Sequence, residues 1–552
     1  MGATTTNLGK FDHIVVLMLE NHSLDSLAGY LYDECNPPAQ FIGRGDHPYR
    51  GVAGKRLSNS VTTDDGTTIS CSVAPAPFAT QADMTNPFPD PGEVYSPHVN
   101  TQLFGSQDPP QSPTPPNMSG FVKDYYGVLK ESTGWDGNIA PTQAHLQRIM
   151  NCYPSTDDCL PILSGLAQAF AISDEWFCSV PSQTFCNRSF FNSGSSHGFV
   201  SNSGGKVSYF KWLLNTQRTI FNALSDAGHD WRVYQDAEEA FTLLGHKHPV
   251  SLTRLIHWFP LLLHGDKFVT YEGTTNTKWT HNSFVEACNA GTLPEYTFIE
   301  PRWFLNLNDM HPPFAPLPHL LQPGPTVQSS ILAGEWLVWN VYNAVMSGAK
   351  WDRTLLVITF DEHGGCYDHC PPPWGMIPPD DKHGEDGFGF NRLGLRVPTI
   401  LISAYIDPRT VFRAPDGPFN PFDHTSMIKT IANRWGLTKS LGARADNKLT
   451  ADISAVLTRE KPRRQADLPT LTPRPYTPLD QPAANAAGLT GFQRDIFELI
   501  DSCRHGLRSD ASAEASLAAA AAAADAPATV QKPDTVGEAL EYLRALGGPE
   551  GS

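Results

Sequence analysis

No stretch of this chain reaches the ~18–20 consecutive apolar residues of a membrane-spanning helix. Residues Met1 to Phe11 also lack the basic-then-apolar layout of a secretory leader. The expectation is a protein that stays in the cytoplasm or is exported without a leader. Positive charge is scarce: 40 Lys and Arg stand against 57 Asp and Glu, a formal net charge of −17. A nucleic-acid partner needs a basic surface, so nucleic acid is excluded as the main partner. Purely electrostatic attachment to an anionic membrane is disfavoured for the same reason. Charged residues make up only 18%, below the roughly 25% of an average soluble domain, and 40% of residues are hydrophobic. That composition builds a core and not a disordered polyelectrolyte. Ten cysteines in 552 residues do not make a disulfide scaffold, and the paired C-x-x-C elements of a structural zinc site are missing. Cys152/Cys159 and Cys366/Cys370 lie close enough in sequence to bridge locally.

Glycine and proline are plentiful, at 44 and 47 residues. They imply long ordered loops draped over one large core, which lets a chain of this length remain a single α/β unit with insertions. Three short apolar runs have strand character: Phe11–Leu19 (FDHIVVLML), Leu355–Phe360 (LLVITF) and Val397–Ser403 (VPTILIS). Apolar, β-branched runs without alternation suit strands buried on both faces, in a mostly parallel sheet flanked by helices. Ile331–Ala349, apolar at near-helical spacing, reads as the crossover helix that feeds the second run. The tracts Pro37–Asp65, Pro87–Pro116 and Pro371–Gly389 are loop insertions of the kind that cover a site. Composition divides the chain into a catalytic domain, 1–458, and a C-terminal extension, 459–552. The extension holds the low-complexity run Ala518–Ala524 and a short amphipathic helix with Val536, Leu540, Leu543 and Leu546 on one face, suited to homo-oligomerisation.

In an open α/β sheet, ligands bind beyond the carboxyl ends of the strands. Glu20-Asn21 follows the first run and Asp361-Glu362 the second. Carboxylates that converge repel one another unless a cation sits among them, and a hard divalent ion accepts oxygen ligands there. The oxygen-rich set leans toward Ca²⁺, Mg²⁺ or Mn²⁺, and histidine participation admits Zn²⁺. Thr184, Asn187 and Arg188 bring a hydroxyl, an amide and a guanidinium within five residues. Metal coordination can activate such a hydroxyl, and the neighbouring Asn and Arg can bind the oxygens of a transferring phosphoryl group. His311, His369 and His424 each follow an acid by one or two residues, which suits an oriented imidazole or a second metal position.

Six segments carry a resemblance to a known family: Ile14–Asp25, Thr184–Arg188, Asn308–Pro313, Thr359–His369, Gly394–Pro398 and Phe422–Ser426. In this order they resemble the bacterial and plant phosphoesterases that include phosphatidylcholine-type phospholipase C, plant non-specific phospholipase C and acid phosphatase A. The resemblance implies an alkaline-phosphatase-like α/β fold. It also implies that Glu20, Asn21, Asp361 and Glu362 bind a divalent metal with Thr184 as metal-bound nucleophile, while His311 and His424 contact phosphate or protonate the leaving group. Two departures stand out. Cys186 occupies a position where many members have proline. Glu93 follows Asp-Pro-Gly where some have histidine, so that His98 is the nearest phosphate-binding candidate. Thr184 and Cys186 also fail the C/S-x-P-x-R motif of sulfatases.

The implied activity is hydrolysis of a phospholipid by a phospholipase C, at a membrane or micelle surface, through a phosphothreonine. A broad acid phosphatase and an inactive headgroup-binding protein are the alternatives. Aromatic segments at Tyr209–Trp212, Trp258-Phe259 and Trp303-Phe304 are candidates for an apolar rim or a cage for a quaternary ammonium.

Overall fold

A computed structural model describes residues 5–45, 47–75, 96–108, 114–131, 141–156, 159–202, 217–236, 267–271, 279–303, 306–312, 330–384, 387–417 and 419–478, with short pieces between 480 and 541. Nine strands form one sheet. In chain order they are β1 (His13–Leu19), β2 (Gln40–Ile42), β3 (Ala171–Ser173), β4 (Trp231–Asp236), β5 (Phe268–Tyr271), β6 (Tyr296–Ile299), β7 (Thr354–Phe360), β8 (Thr399–Ser403) and β9 (Thr410–Phe412). Their spatial order is β5-β4-β6-β1-β7-β8-β3-β9-β2. Every neighbouring pair is parallel except the two made by β8, which runs against both β7 and β3. The third apolar run thus forms a strand, and it is the one strand of the sheet pointing the other way.

The central strands read as the sequence suggests. β1 is HIVVLML and β7 is TLLVITF, with every residue after His13 buried. Side chains pointing to both faces are apolar because helices cover both. The helix Ile331–Ser347, preceded by Ser330, whose hydroxyl accepts from Leu332 N–H as an N-cap, precedes β7 and packs on it. Its buried face carries Leu337, Val338, Val341 and Val345 in the main core. The tract 37–65 contributes β2 and half of the hairpin Ser58–Thr62/Thr68–Ser72. Residues 463–474 run along the same helix and the turn after it: Trp336 donates to the carbonyl of Arg474, Trp339 to that of Leu471, and Trp351, in the turn Trp351–Arg353, to that of Arg463. Cys152, Cys159, Cys366 and Cys370 are all free thiols, so neither local bridge forms. Of the amphipathic C-terminal face, Val536 is buried, while Leu540, Leu543, Leu546 and the Ala518–Ala524 run lie outside the described residues.

Candidate active site

Strand register assembles the site. Leu19 pairs with Phe360 at the ends of β1 and β7, so the next residues, Glu20 and Asp361, emerge side by side. The backbone then fixes them: Asp361 N–H donates to the Leu19 carbonyl, and Glu20 N–H to the Asp309 carbonyl at 2.8 Å. Asn21 adopts a left-handed φ of 57°, and its N–H donates to Asp361 Oδ1 at 3.1 Å. Gly364, itself at φ 61°, packs so closely on this turn that a Cβ would lie 2.3 Å from the Asn21 carbonyl oxygen. The glycine after Asp-Glu-His is a packing requirement of the site.

Thr184 is the first residue of the helix Thr184–Ser193, all of it buried. The lead-in loop is braced by Asn187, whose amide donates to the carbonyls of Val180 and Ser182 and accepts from Val180 N–H. Asn187 therefore holds the threonine in place. The Thr184 hydroxyl faces Glu20 Oε2 at 3.0 Å and Asn21 Oδ1 at 3.3 Å. The helix N-terminus behind it places a partial positive charge at the Thr184 hydroxyl.

Arg188, one turn on, donates through Nε to the other Glu20 oxygen at 2.7 Å, and its Nη2 is paired with the same oxygen. It reaches the Met18 carbonyl at 3.1 Å and lies 3.6 Å from Glu300. Its guanidinium sits 4.9 Å from the centre of the Trp303 ring. Trp303 is thus buried under the site and is no part of an exposed rim; Phe304, Tyr209–Trp212 and Trp258-Phe259 lie outside the described residues.

His311 Nε2 accepts from Asn21 Nδ2 at 2.8 Å, since the amide oxygen is turned to Thr184. Its proton is then on Nδ1, 3.7 Å from Asp309 Oδ2 and 4.0 Å from Glu20 Oε2. His424 is spent differently. Its Nε2 donates to the Asp361 carbonyl at 2.6 Å and its Nδ1 accepts from Trp176. Burial lowers its pKa.

The remaining named groups form a chain leading away. Glu362 Oε2 accepts from Gly364 N–H at 2.7 Å and lies 3.1 Å from His363 Nδ1. His363 Nε2 meets Gln102 Oε1 at 2.8 Å, Gln102 Nε2 donates to Asp124 Oδ2 at 2.9 Å, and Asp124 Oδ1 meets His98 at 2.8 Å. His98 is joined to the centre through this chain.

These donors fit a divalent cation. Glu20, Asp309 and Asp361 are fully buried, and one oxygen each of Asp309 and Asp361 has no hydrogen-bond partner. Burial pushes the Glu20 carboxyl well above the usual range; Arg188 opposes that push, and Asp361 and Asp309 add to it. A cation among them would remove this penalty.

Asp309, Glu300 and Gln102 are site residues beyond those picked out by sequence. Glu300 directly follows the apolar run of β6, the same strand-end signal as Glu20 and Asp361. The sequence-singled His369 lies in another cluster, where Asp368, His369 and Cys370 bring possible ligand atoms within 4.8 Å of one another. There Arg396 already bonds both Asp368 and Asp25, and Lys55 lies 2.8 Å from His369 Nε2.

The profile of the Phosphoesterase family matches residues 11–438. The chain is 31% identical to non-specific phospholipase C4 of Arabidopsis thaliana, over 91% of this chain and 80% of that protein. It is 25% identical to phospholipase C B of Mycobacterium tuberculosis, over 79% of this chain and 75% of that one. Among solved structures, a protein of the alkaline phosphatase superfamily from Vibrio parahaemolyticus aligns at 12% identity with a TM-score of 0.27, covering 56% of this chain and 66% of that one. With a family profile spanning its whole sheet and relatives aligned over most of its length, the chain belongs to the Phosphoesterase family and is a hydrolase of phosphoric esters.

Proposed function

We propose that this protein is a metal-dependent phospholipase C that works through a phosphothreonine. One observation carries the reading: the Thr184 hydroxyl, at a helix N-terminus, shares the buried Glu20 carboxylate with Arg188 beside Asn21 and Asp361. Glu20, Asn21, Thr184, Asp361 and Glu362 would hold the cation, and Asp309 joins them. Bound there, the cation supplies charge that favours the Thr184 alkoxide and offsets the negative charge of a phosphoryl group.

Thr184 Oγ1 passes its proton to Glu20 Oε2 and attacks phosphorus, and the bond to the diacylglycerol oxygen breaks. Glu20 and Asn21 hold the hydroxyl in line, and Arg188 keeps Glu20 fixed. His311 hydrogen-bonds the leaving oxygen through Nδ1–H, and that oxygen takes up the Thr184 proton from Glu20; His424 cannot do this, because both its nitrogens are committed to backbone and Trp176. Water then hydrolyses the threonine ester and releases the phosphorylated headgroup. His424 positions Asp361 through its carbonyl. A lipid substrate implies passing contact with a membrane or micelle, and the relatives' names support phospholipid as the substrate class.

The deciding experiment is a side-by-side assay of phosphatidylcholine in micelles, glycerophosphocholine and p-nitrophenyl phosphate on one preparation. A phospholipase C turns over the lipid with the highest kcat/KM. Preference for p-nitrophenyl phosphate makes the enzyme an acid phosphatase instead.

A further inference from the structure

Arg392 is a buried cation with no anion beside it among the described residues. It is 2% exposed, and no carboxylate acts on it among the described residues. Burial alone lowers its pKa, to about 10, with no acid raising it. One hydrogen bond holds the side chain: Nη2 donates to Asn100 Oδ1 at 2.9 Å. Its Nε and Nη1 are buried without acceptors, and so is Nε1 of Trp374. Trp374 and Arg392 face each other across an antiparallel bridge, held by Leu393 N–H to the Pro373 carbonyl and Met376 N–H to the Asn391 carbonyl.

The guanidinium lies 5.2 Å from the centre of the Trp374 ring, 5.3 Å from Phe104 and 5.9 Å from Phe388. All three rings are half-buried, so the cation lies one aromatic layer below the surface. Such a place costs stability as it stands. A buried charge normally has a partner, and a buried donor without an acceptor is destabilising. Cation–π attraction offsets part of this, but it leaves the in-plane N–H groups unanswered. An oxyanion answers both the unpaired N–H donors and the net positive charge, whereas a water answers only the donors.

We propose that Arg392, Trp374 and Asn100 form an oxyanion-binding site for a phosphate or sulfate group, separate from the Thr184 centre. The Trp374–Arg392 bridge lies beside the lead-in to Thr184, since Gly394 N–H donates to the Cys178 carbonyl. Asn100 lies on the helix Ser96–Phe104 that carries Gln102. The anion is either free in solution or the phosphomonoester of a lipid headgroup. The site stands whatever reaction Thr184 performs.

The test compares the full chain with Arg392→Met and Arg392→Lys. Melting is followed against sodium sulfate and inorganic phosphate, with chloride at equal ionic strength as reference. Wild type should gain several degrees more than Arg392→Met, and Arg392→Lys should gain an intermediate amount. The variants keep the Thr184 centre, so anion binding there cancels in the difference. A second arm measures co-sedimentation with vesicles of phosphatidylcholine alone or with phosphatidic acid. Loss of the phosphatidic-acid increment in Arg392→Met, without any soluble-anion shift, assigns the site to a lipid headgroup. Equal anion responses in all three proteins and equal vesicle binding overturn the proposal. The baseline stability of Arg392→Met does not enter the comparison, which reads only the responses to anion and to vesicles. Should Arg392→Met not fold, Arg392→Lys supplies the same comparison.

Discussion

Thr184 and Glu20 are brought within 3.0 Å, oxygen to oxygen, although they come from a helix N-terminus and a strand end more than 160 residues apart. The contact exists because the Thr184 helix is seated on the carboxyl end of β1, with Arg188 clasping the same carboxylate from below. Thr184→Ala removes the attacking oxygen and little else from a small, fully buried side chain. Turnover should fall by on the order of 10³-fold or more, with a melting temperature and a metal content close to those of wild type. Retained turnover in a correctly folded variant rules out the phosphothreonine.

The two strand-end acids differ in what their loss leaves behind. Asp361→Asn removes a cation ligand while the Arg188–Glu20 pair survives. Glu20→Gln also leaves Arg188 buried beside a neutral amide, and breaking a buried pair by removing one partner costs about 3–5 kcal/mol. Both variants should lose bound divalent metal by elemental analysis and become inactive. Only Glu20→Gln should also melt markedly lower. Chelation of wild type should abolish activity, with recovery on adding a divalent cation. A chelated, metal-free and fully active enzyme disproves the site.

The chain from Glu362 to His98 makes a separate expectation. Gln102 spends its amide N–H on Asp124, so its oxygen faces His363 and fixes the imidazole proton on Nε2. Burial lowers the pKa of His363 to about 4, so the ring is neutral; its bare Nδ1 makes no hydrogen bond to Glu362, 3.1 Å away, and is held against that carboxylate by the Gln102 bond. Gln102→Leu frees that ring. Metal affinity should fall by about 10–100-fold, the usual effect of losing a group that orients a ligand. Saturating metal should restore kcat. His98→Gln, two bonds further out, should change affinity less. The check is titration calorimetry with Mn²⁺; unchanged affinity in Gln102→Leu removes the chain from the metal's support.

What the sequence makes legible is the part encoded in consecutive residues. Apolar β-branched runs ending in acids locate β1 and β7, and with them Glu20, Asn21, Asp361 and Glu362, because a strand end is a local signal. The same rule applied to Tyr296–Ile299 would have located Glu300. The reversed direction of β8 is not legible this way, since an apolar run reads the same in either sense and pairing depends on the connection. Gln102 and Asp124 are equally silent: polar residues in helices take their meaning from a partner far along the chain. Trp303 shows the reverse error, an aromatic that composition offers to the surface and that packing places beneath Arg188.

Glu335 gives a pH expectation away from the active site. Its carboxyl is fully buried on the helix Ile331–Ser347 and accepts from the N–H groups of Ile162 and Leu163 at 2.8 and 2.7 Å. Burial raises its pKa from 4.5 to about 8, outweighing those two bonds. Between these values the folded protein keeps a proton that the unfolded chain has released. Its contribution is therefore complete below about pH 4.5 and is lost as pH rises through about 8, a swing of a few kcal/mol. Glu335→Gln has no proton to lose and should be less stable than wild type near pH 5, because its amide can accept from only one of the two N–H groups. The gap in melting temperature between the two proteins should narrow steadily toward pH 9. A gap that widens with pH would mean that the two helix N–H groups hold the carboxylate ionised, and that burial is the weaker influence.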